Sequence, residues 1–189
     1  MFIQTETTPN PATLKFLPGK VVMNVGTADF TDAAEAVAKS PLAAKLFNVE
    51  GVQGVFFGYD FVTITKNEAL DWAHLKPSVL AAIMEHFMGD EPVMREAGPS
   101  GMPDDGEEFF EAEDATIVAT IKELIETRVR PAVAQDGGDI TFRGFKEGTV
   151  FLKMKGACAG CPSSTATLKH GIQNLLRHFV PEVQQVEAV

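Results

Sequence analysis

Cys158 and Cys161 are the only two cysteines in this 189-residue chain. They stand in C-x-x-C spacing inside Lys153-Met154-Lys155-Gly156-Ala157-Cys158-Ala159-Gly160-Cys161-Pro162-Ser163-Ser164. The four-residue span lets two sulfurs converge on one metal centre or close one disulfide. An alternating, β-type run ends just before the pair, and an amphipathic helical pattern begins just after it. Pro162 suits a first helical turn, where a missing N–H is harmless. Cys161 is therefore expected at or beside a helix N-terminus, whose unpaired N–H groups and positive dipole end favour thiolate over thiol. Lys153 and Lys155 add positive charge close by in sequence. Gly156, Ala157, Ala159 and Gly160 leave room for a bulky group and supply no apolar cage. Both sulfurs are expected on an exposed loop, so that serine at either position leaves the metal-free fold almost intact.

Three chemistries fit such a pair. A dithiol oxidoreductase also puts C-x-x-C at a helix N-terminus, but here a β-hairpin precedes the motif instead of a βαβ unit. Zinc wants four ligands, usually cysteine or histidine, and an iron–sulfur cluster generally wants four thiolates. One chain offers two, so either metal reading needs a second source, most simply a symmetric dimer. His170 and His178 fall on the following helix, more than two turns from Cys161, and read as surface or half-buried residues. His74 and His86 lie in the other half of the chain. Asp136-Gly137-Gly138-Asp139 lacks the spacing of a phosphate loop and reads as a helix-to-strand turn. Met84, Met88, Met94 and Met102 read as fill. No Ser-His-Asp or paired-carboxylate pattern supports an enzyme.

Bulk properties narrow the setting. Composition is that of a globular protein, 45% hydrophobic and 22% charged. A net charge of −10 argues against nucleic acid or an anionic membrane surface as main partner. No apolar run approaches transmembrane length, no leader pattern opens the sequence, and two cysteines make no disulfide framework, which points to a reducing compartment.

The elements that must position the cysteines form an α+β chain in two small domains. In the first, 1–88, residues 1–7 and Leu14–Leu17 read as strands around a Pro-rich turn, and Val21–Val25 is expected to pair with the second. Thr31–Lys39 and Pro41–Phe47 read as helices, and 51–57 with 61–65 as a hairpin. A helix is expected from Lys76 or Pro77 to Gly89, with Leu80, Ile83, Met84 and Phe87 inward. Residues 89–112 are rich in breakers and acids and read as a flexible acidic linker. Within it Phe109-Phe110 is expected to pack on the next domain, a docking motif being the alternative. The second domain, 113–189, reads α-β-β-α-β. Its first helix carries Ile117, Ile121, Leu124, Ile125 and Val129 and ends or kinks near Pro131. Ile140 and Phe142, then Val150, Leu152 and Met154, alternate as strands. A last helix is striped by Leu168, Ile172, Leu175, Leu176 and Phe179 and stops at Pro181, before a strand in Val183–Val189.

Gln135–Asp139, Leu152–Gly156, Cys158–Ser164 and Leu168-Lys169-His170-Gly171-Ile172 together resemble the Nfu domain, the C-terminal module of NifU-like iron–sulfur proteins. Thr5-Glu6-Thr7-Thr8-Pro9-Asn10-Pro11-Ala12-Thr13-Leu14-Lys15-Phe16 resembles the N-terminal domain of the mitochondrial and related bacterial Nfu proteins. The resemblance implies a carrier or scaffold, not an enzyme. It would hold one 4Fe–4S cluster per homodimer on Cys158 and Cys161 of each chain. Its partners would be upstream assembly machinery and recipient apo-proteins, with no nucleic acid and no membrane. Two cysteines leave none for the assembly-scaffold and ferredoxin-type domains of full NifU, so late transfer is expected over de novo assembly. The expected compartment is bacterial cytoplasm, or the mitochondrial matrix for a processed chain.

Overall fold

The computed structural model describes residues 1–95 and 107–189. The chain divides into two compact units, Met1–Pro103 and Asp104–Val189. Both combine helices with a sheet, antiparallel throughout in the first unit and mixed in the second, as an α+β pattern allows.

The first unit is built on five strands: β1 (Gln4–Thr7), β2 (Thr13–Leu17), β3 (Ala28–Phe30), β4 (Val52–Phe57) and β5 (Val62–Lys66), in the order β1-β2-β5-β4-β3. Helices α1 (Ala33–Lys39), α2 (Pro41–Phe47) and α3 (Trp72–Met88) complete it. Asp32 caps α1, and Ser40 caps α2 by accepting the Ala43 N–H, with Pro41 at the first position. The core gathers Phe16, Phe30, Val55, Phe57, Val62 and Ile64 from the sheet with Leu42, Leu46, Val79 and Ile83 from the helices.

Three expectations fail in this unit. Val21–Val25 is not a strand. Val22 and Met23 instead donate their N–H groups to the Tyr59 carbonyl, and the strand that flanks β4 is the unforeseen Ala28–Phe30. Helix α3 starts a turn before Lys76, because Asp71 caps it through the Ala73 N–H and Leu75 anchors its first turn in the core. Pro77 sits inside the helix as its sixth residue, past the first turn, and supplies no N–H for the carbonyl four residues back. The buried stripe of α3 is then Leu75, Val79, Ile83 and His86, and Met84 turns outward.

Residues 96–106 of the expected linker lie outside the described residues. Before them, the Arg95 N–H donates to the Lys39 carbonyl. After them, Phe109 pairs in parallel with Gly144 and stacks on Phe151 with ring centres 5.1 Å apart, the packing expected of it. Both rings nevertheless stay partly exposed, Phe109 at 45% and Phe110 at 41%.

In the second unit a short 3-10 turn (Ala112–Asp114) leads into α4 (Ala115–Leu124), a π-helical turn (Ile125–Val129) and α5 (Arg130–Gln135), one continuous helical run. Pro131 does not end it. Proline has no N–H for the Thr127 carbonyl, and the run widens just before it, the Arg130 N–H reaching back to Ile125. Strands β6 (Gly138–Lys146) and β7 (Thr149–Gly156) form an antiparallel hairpin, and β8 (Gln185–Ala188) lies parallel on the far side of β7. Helix α6 (Pro162–Phe179) runs between β7 and β8. Val118, Ile121, Ile125, Val133, Ile172 and Leu176 close over Ile140, Phe142, Val150 and Leu152. Phe179 leaves the expected stripe: it is exposed, with the Arg128 guanidinium 4.9 Å from its ring centre. Among the described residues no helix is long and apolar enough to cross a membrane.

Candidate functional site

Strand β7 carries the chain to the cysteines and α6 carries it away. Between them, Gly156 and Gly160 adopt φ values of 65° and 83°, conformations that favour glycine, and they bracket a tight loop. The Ala159 N–H donates to the Gly156 carbonyl, and the Ala157 N–H to the Gly137 carbonyl in the turn before β6. The two cysteines are not joined in a disulfide.

Cys161 is the N-cap residue of α6, as Pro162 implies. Its backbone is extended, its carbonyl accepts the Thr165 N–H at 2.9 Å, and its side chain is half-buried. Sγ lies 3.4 Å from the Ser163 hydroxyl. The hydroxyls of Ser163 and then Ser164, with contributions from their backbone amides, lower the thiol to about 7. A large share of Cys161 is thus thiolate near neutrality, the form that attacks and that binds metal.

Cys158 departs from expectation. It is only 5% exposed and belongs to the hydrophobic core of the unit. Burial, reinforced by the carboxylates of Asp136 and Asp139, pushes its thiol up to about 12. The carboxylates, not the lysines close in sequence, are the charges that act on this sulfur. Small neighbours in sequence did not make an exposed loop, because the apolar cage comes from elsewhere in the chain. Gly138 is the clearest case: a Cβ there would stand 2.6 Å from the Cys158 Sγ and 2.7 Å from the Lys155 carbonyl. The Asp136-Gly137-Gly138-Asp139 stretch is therefore more than a turn, and its second glycine gives the sulfur its space.

Asp139 is itself buried and held by a fork of two bonds from Arg130, Nε to Oδ1 at 2.8 Å and Nη2 to Oδ2 at 2.9 Å. Arg130 also reaches Glu126 one turn back, and the Asp139 hydrogen bonds hold the guanidinium more firmly charged. The paired geometry fixes where α5 hands the chain to β6, the strand whose first residue packs against Cys158. Sequence reasoning missed this ion pair. The Glu126–Arg130 spacing of four was visible, but nothing local showed that Asp139 would be buried.

His170 and His178 are exposed on α6. Among the described residues no group of three or more His, Cys, Asp or Glu side chains is placed to hold a metal ion. The second unit therefore presents one reactive and one sheltered thiol at a strand-to-helix junction. The pair stands on a small α+β module, joined in sequence to a second module that carries no cysteine.

The comparisons with known proteins agree with that arrangement. Residues 3–90 match "Scaffold protein Nfu/NifU N terminal", and residues 121–187 match the "NifU-like domain". The chain is 53% identical over its full length to the human "NFU1 iron-sulfur cluster scaffold homolog, mitochondrial", covering 72% of that protein. It is 49% identical to "NifU-like protein 4, mitochondrial" of Arabidopsis thaliana, over 99% of this chain and 65% of that one. A solution structure of a NifU-like protein from Saccharomyces cerevisiae matches 51% of this chain and 87% of its own, at 27% identity and a TM-score of 0.46. The chain belongs to the Nfu family of iron–sulfur cluster scaffold proteins.

Proposed function

We propose that this chain carries a 4Fe–4S cluster between two copies of itself, on Cys158 and Cys161 of each, and delivers it to recipient apo-proteins. The observation that carries the reading is the donor set. Each chain supplies two thiols at one junction, and no third donor joins them among the described residues. Four-thiolate ligation then asks for a second chain. The cluster is cargo, and the site suits cargo. Cys161 is partly exposed, and its lowered pKa makes a substantial fraction thiolate near neutrality, so it can meet an incoming or departing cluster by ligand exchange. The name of the human relative, an iron–sulfur cluster scaffold homolog, supports a scaffold role. Of the two expected compartments the relatives' names favour the mitochondrial one over the bacterial cytoplasm. In this reading the first unit and the segment joining the units choose and orient the recipient.

Anaerobic reconstitution with iron and sulfide, followed by visible spectroscopy and native mass spectrometry, tests the proposal. The expected result is one 4Fe–4S unit per two chains, with the metal-free protein largely monomeric. A monomer holding a full cluster refutes the shared-ligand arrangement. The split between the thiols also fits a dithiol oxidoreductase, which pairs an attacking with a sheltered sulfur. Disulfide reductase activity in the metal-free protein would favour that chemistry, and zinc retained at one ion per dimer would favour a structural bridge.

A further inference from the structure

Cys158 offers a ligand little access where it stands. It is 5% exposed, and on its Gly138 side not even a methyl group fits beside Sγ. A metal atom bonded to that sulfur needs more space than a methyl and cannot sit on that side, so an outward turn of the side chain opens the sulfur to it. Hydrogen bonds that close the loop around it include Ala157 N–H to the Gly137 carbonyl, Ala159 N–H to the Gly156 carbonyl, and the Thr165 hydroxyl to the Cys158 carbonyl at 3.0 Å. The last comes from a side chain. Thr165 sits in the first turn of α6, and its backbone N–H is already bonded to the Cys161 carbonyl. One residue therefore ties down both cysteines, Cys161 through the main chain and Cys158 through a hydroxyl. Glycines with positive φ stand at each end of the loop and can absorb the backbone change of an outward turn.

We propose that Thr165 is a positioning residue that latches Cys158 inward, so that the site loads in two stages. Cys161 engages the cargo first. Cys158 follows once the Thr165 bond breaks and the Ala157–Gly160 segment turns outward. This deepens the carrier reading and rests on it for its purpose. The latch itself is a property of the metal-free chain and can be tested there.

The experiment is maleimide labelling of the full metal-free chain at fixed pH, with each cysteine resolved by peptide mass spectrometry, in wild type, Thr165→Val and Thr165→Ser. In wild type Cys161 labels quickly and Cys158 slowly, and the Cys158 rate changes little with low urea, as local opening exposes little surface. Loss of one hydrogen bond should speed Cys158 labelling roughly three- to tenfold in Thr165→Val. Serine keeps the hydroxyl and should restore the wild-type rate. Cys161 should be unaffected throughout. The latch is refuted if Cys158 labels as fast as Cys161 in wild type, or if valine leaves its rate unchanged. A steep urea dependence also refutes it, since exposure would then need global unfolding. Reconstitution of the same wild-type sample is a separate readout. A chain that shows the latch but takes up no iron and sulfide overturns the carrier reading alone.

Discussion

Serine substitution at the two cysteines, one at a time, should give unequal losses of stability in the metal-free chain. Cys161 is half-buried at a helix cap, and serine is among the best N-cap residues. Cys161→Ser should stay within about 0.5 kcal/mol of wild type, as surface changes usually do. Cys158 lies in the core, where a hydroxyl must find a hydrogen-bond partner or lose its hydration. That loss is roughly 1–3 kcal/mol in protein mutational data. For a domain of 60–100 residues each kcal/mol moves the melting point by roughly 4–8 °C. Cys158→Ser should therefore melt at least about 5 °C lower in the second unit. Cys158→Ala should fall between the two, because it loses packing but buries no new polar group. The assay should be calorimetry or far-ultraviolet circular dichroism. Intrinsic fluorescence will not serve, since the only tryptophan and tyrosine, Trp72 and Tyr59, both lie in the first unit. Equal melting for Cys158→Ser and Cys161→Ser would refute the burial of Cys158 and restore the exposed-loop expectation. Either serine should still abolish a stable cluster, because hard oxygen replaces soft thiolate at two of four positions across a dimer.

Other outcomes follow from the same geometry. Between about pH 9 and pH 12 the folded chain keeps the Cys158 proton that the unfolded chain releases, so stability of the second unit should fall as pH rises through that window. Cys158→Ala should remove that part of the slope in denaturant titrations. Arg130→Met should leave the buried Asp139 carboxylate without its guanidinium partner and destabilise the second unit by on the order of 2–3 kcal/mol, somewhat less than for a fully buried pair. An Arg130→Met chain as stable as wild type in urea would remove the ion pair from the account. His86 is buried with neither ring nitrogen hydrogen-bonded among the described residues, and burial, then Lys45, lowers its pKa, partly opposed by Glu91. The unfolded chain thus binds the extra proton first, and the first unit should lose stability as pH falls below about 6.5. Trp72 fluorescence in urea at about pH 7.5 and about pH 5 reads this directly, and His86→Phe should flatten the difference.

What the sequence disclosed, and what it hid, divides along one physical line. Helices α2 and α6, the β4–β5 and β6–β7 hairpins and the cap position of Cys161 all rest on residues within a few positions of one another. Periodicity, Pro at a first turn and alternating side chains therefore revealed them. Pro77 and Pro131 misled because a proline rule is local, whereas Asp71 capping an earlier start and a π turn absorbing the missing N–H are answers the surrounding structure supplies. Cys158 is the sharpest case. Its sequence neighbours are small and polar, which argued for exposure. Its spatial neighbours are Gly138, twenty positions earlier, and a core drawn from α4, α5 and α6. The same local composition that lets the loop turn outward also lets it fold inward, and long-range packing chooses the inward state in the metal-free chain. A cysteine pair at a strand-to-helix junction is thus legible from spacing alone. The inequality of its two members is not, because it is set by where the rest of the domain closes.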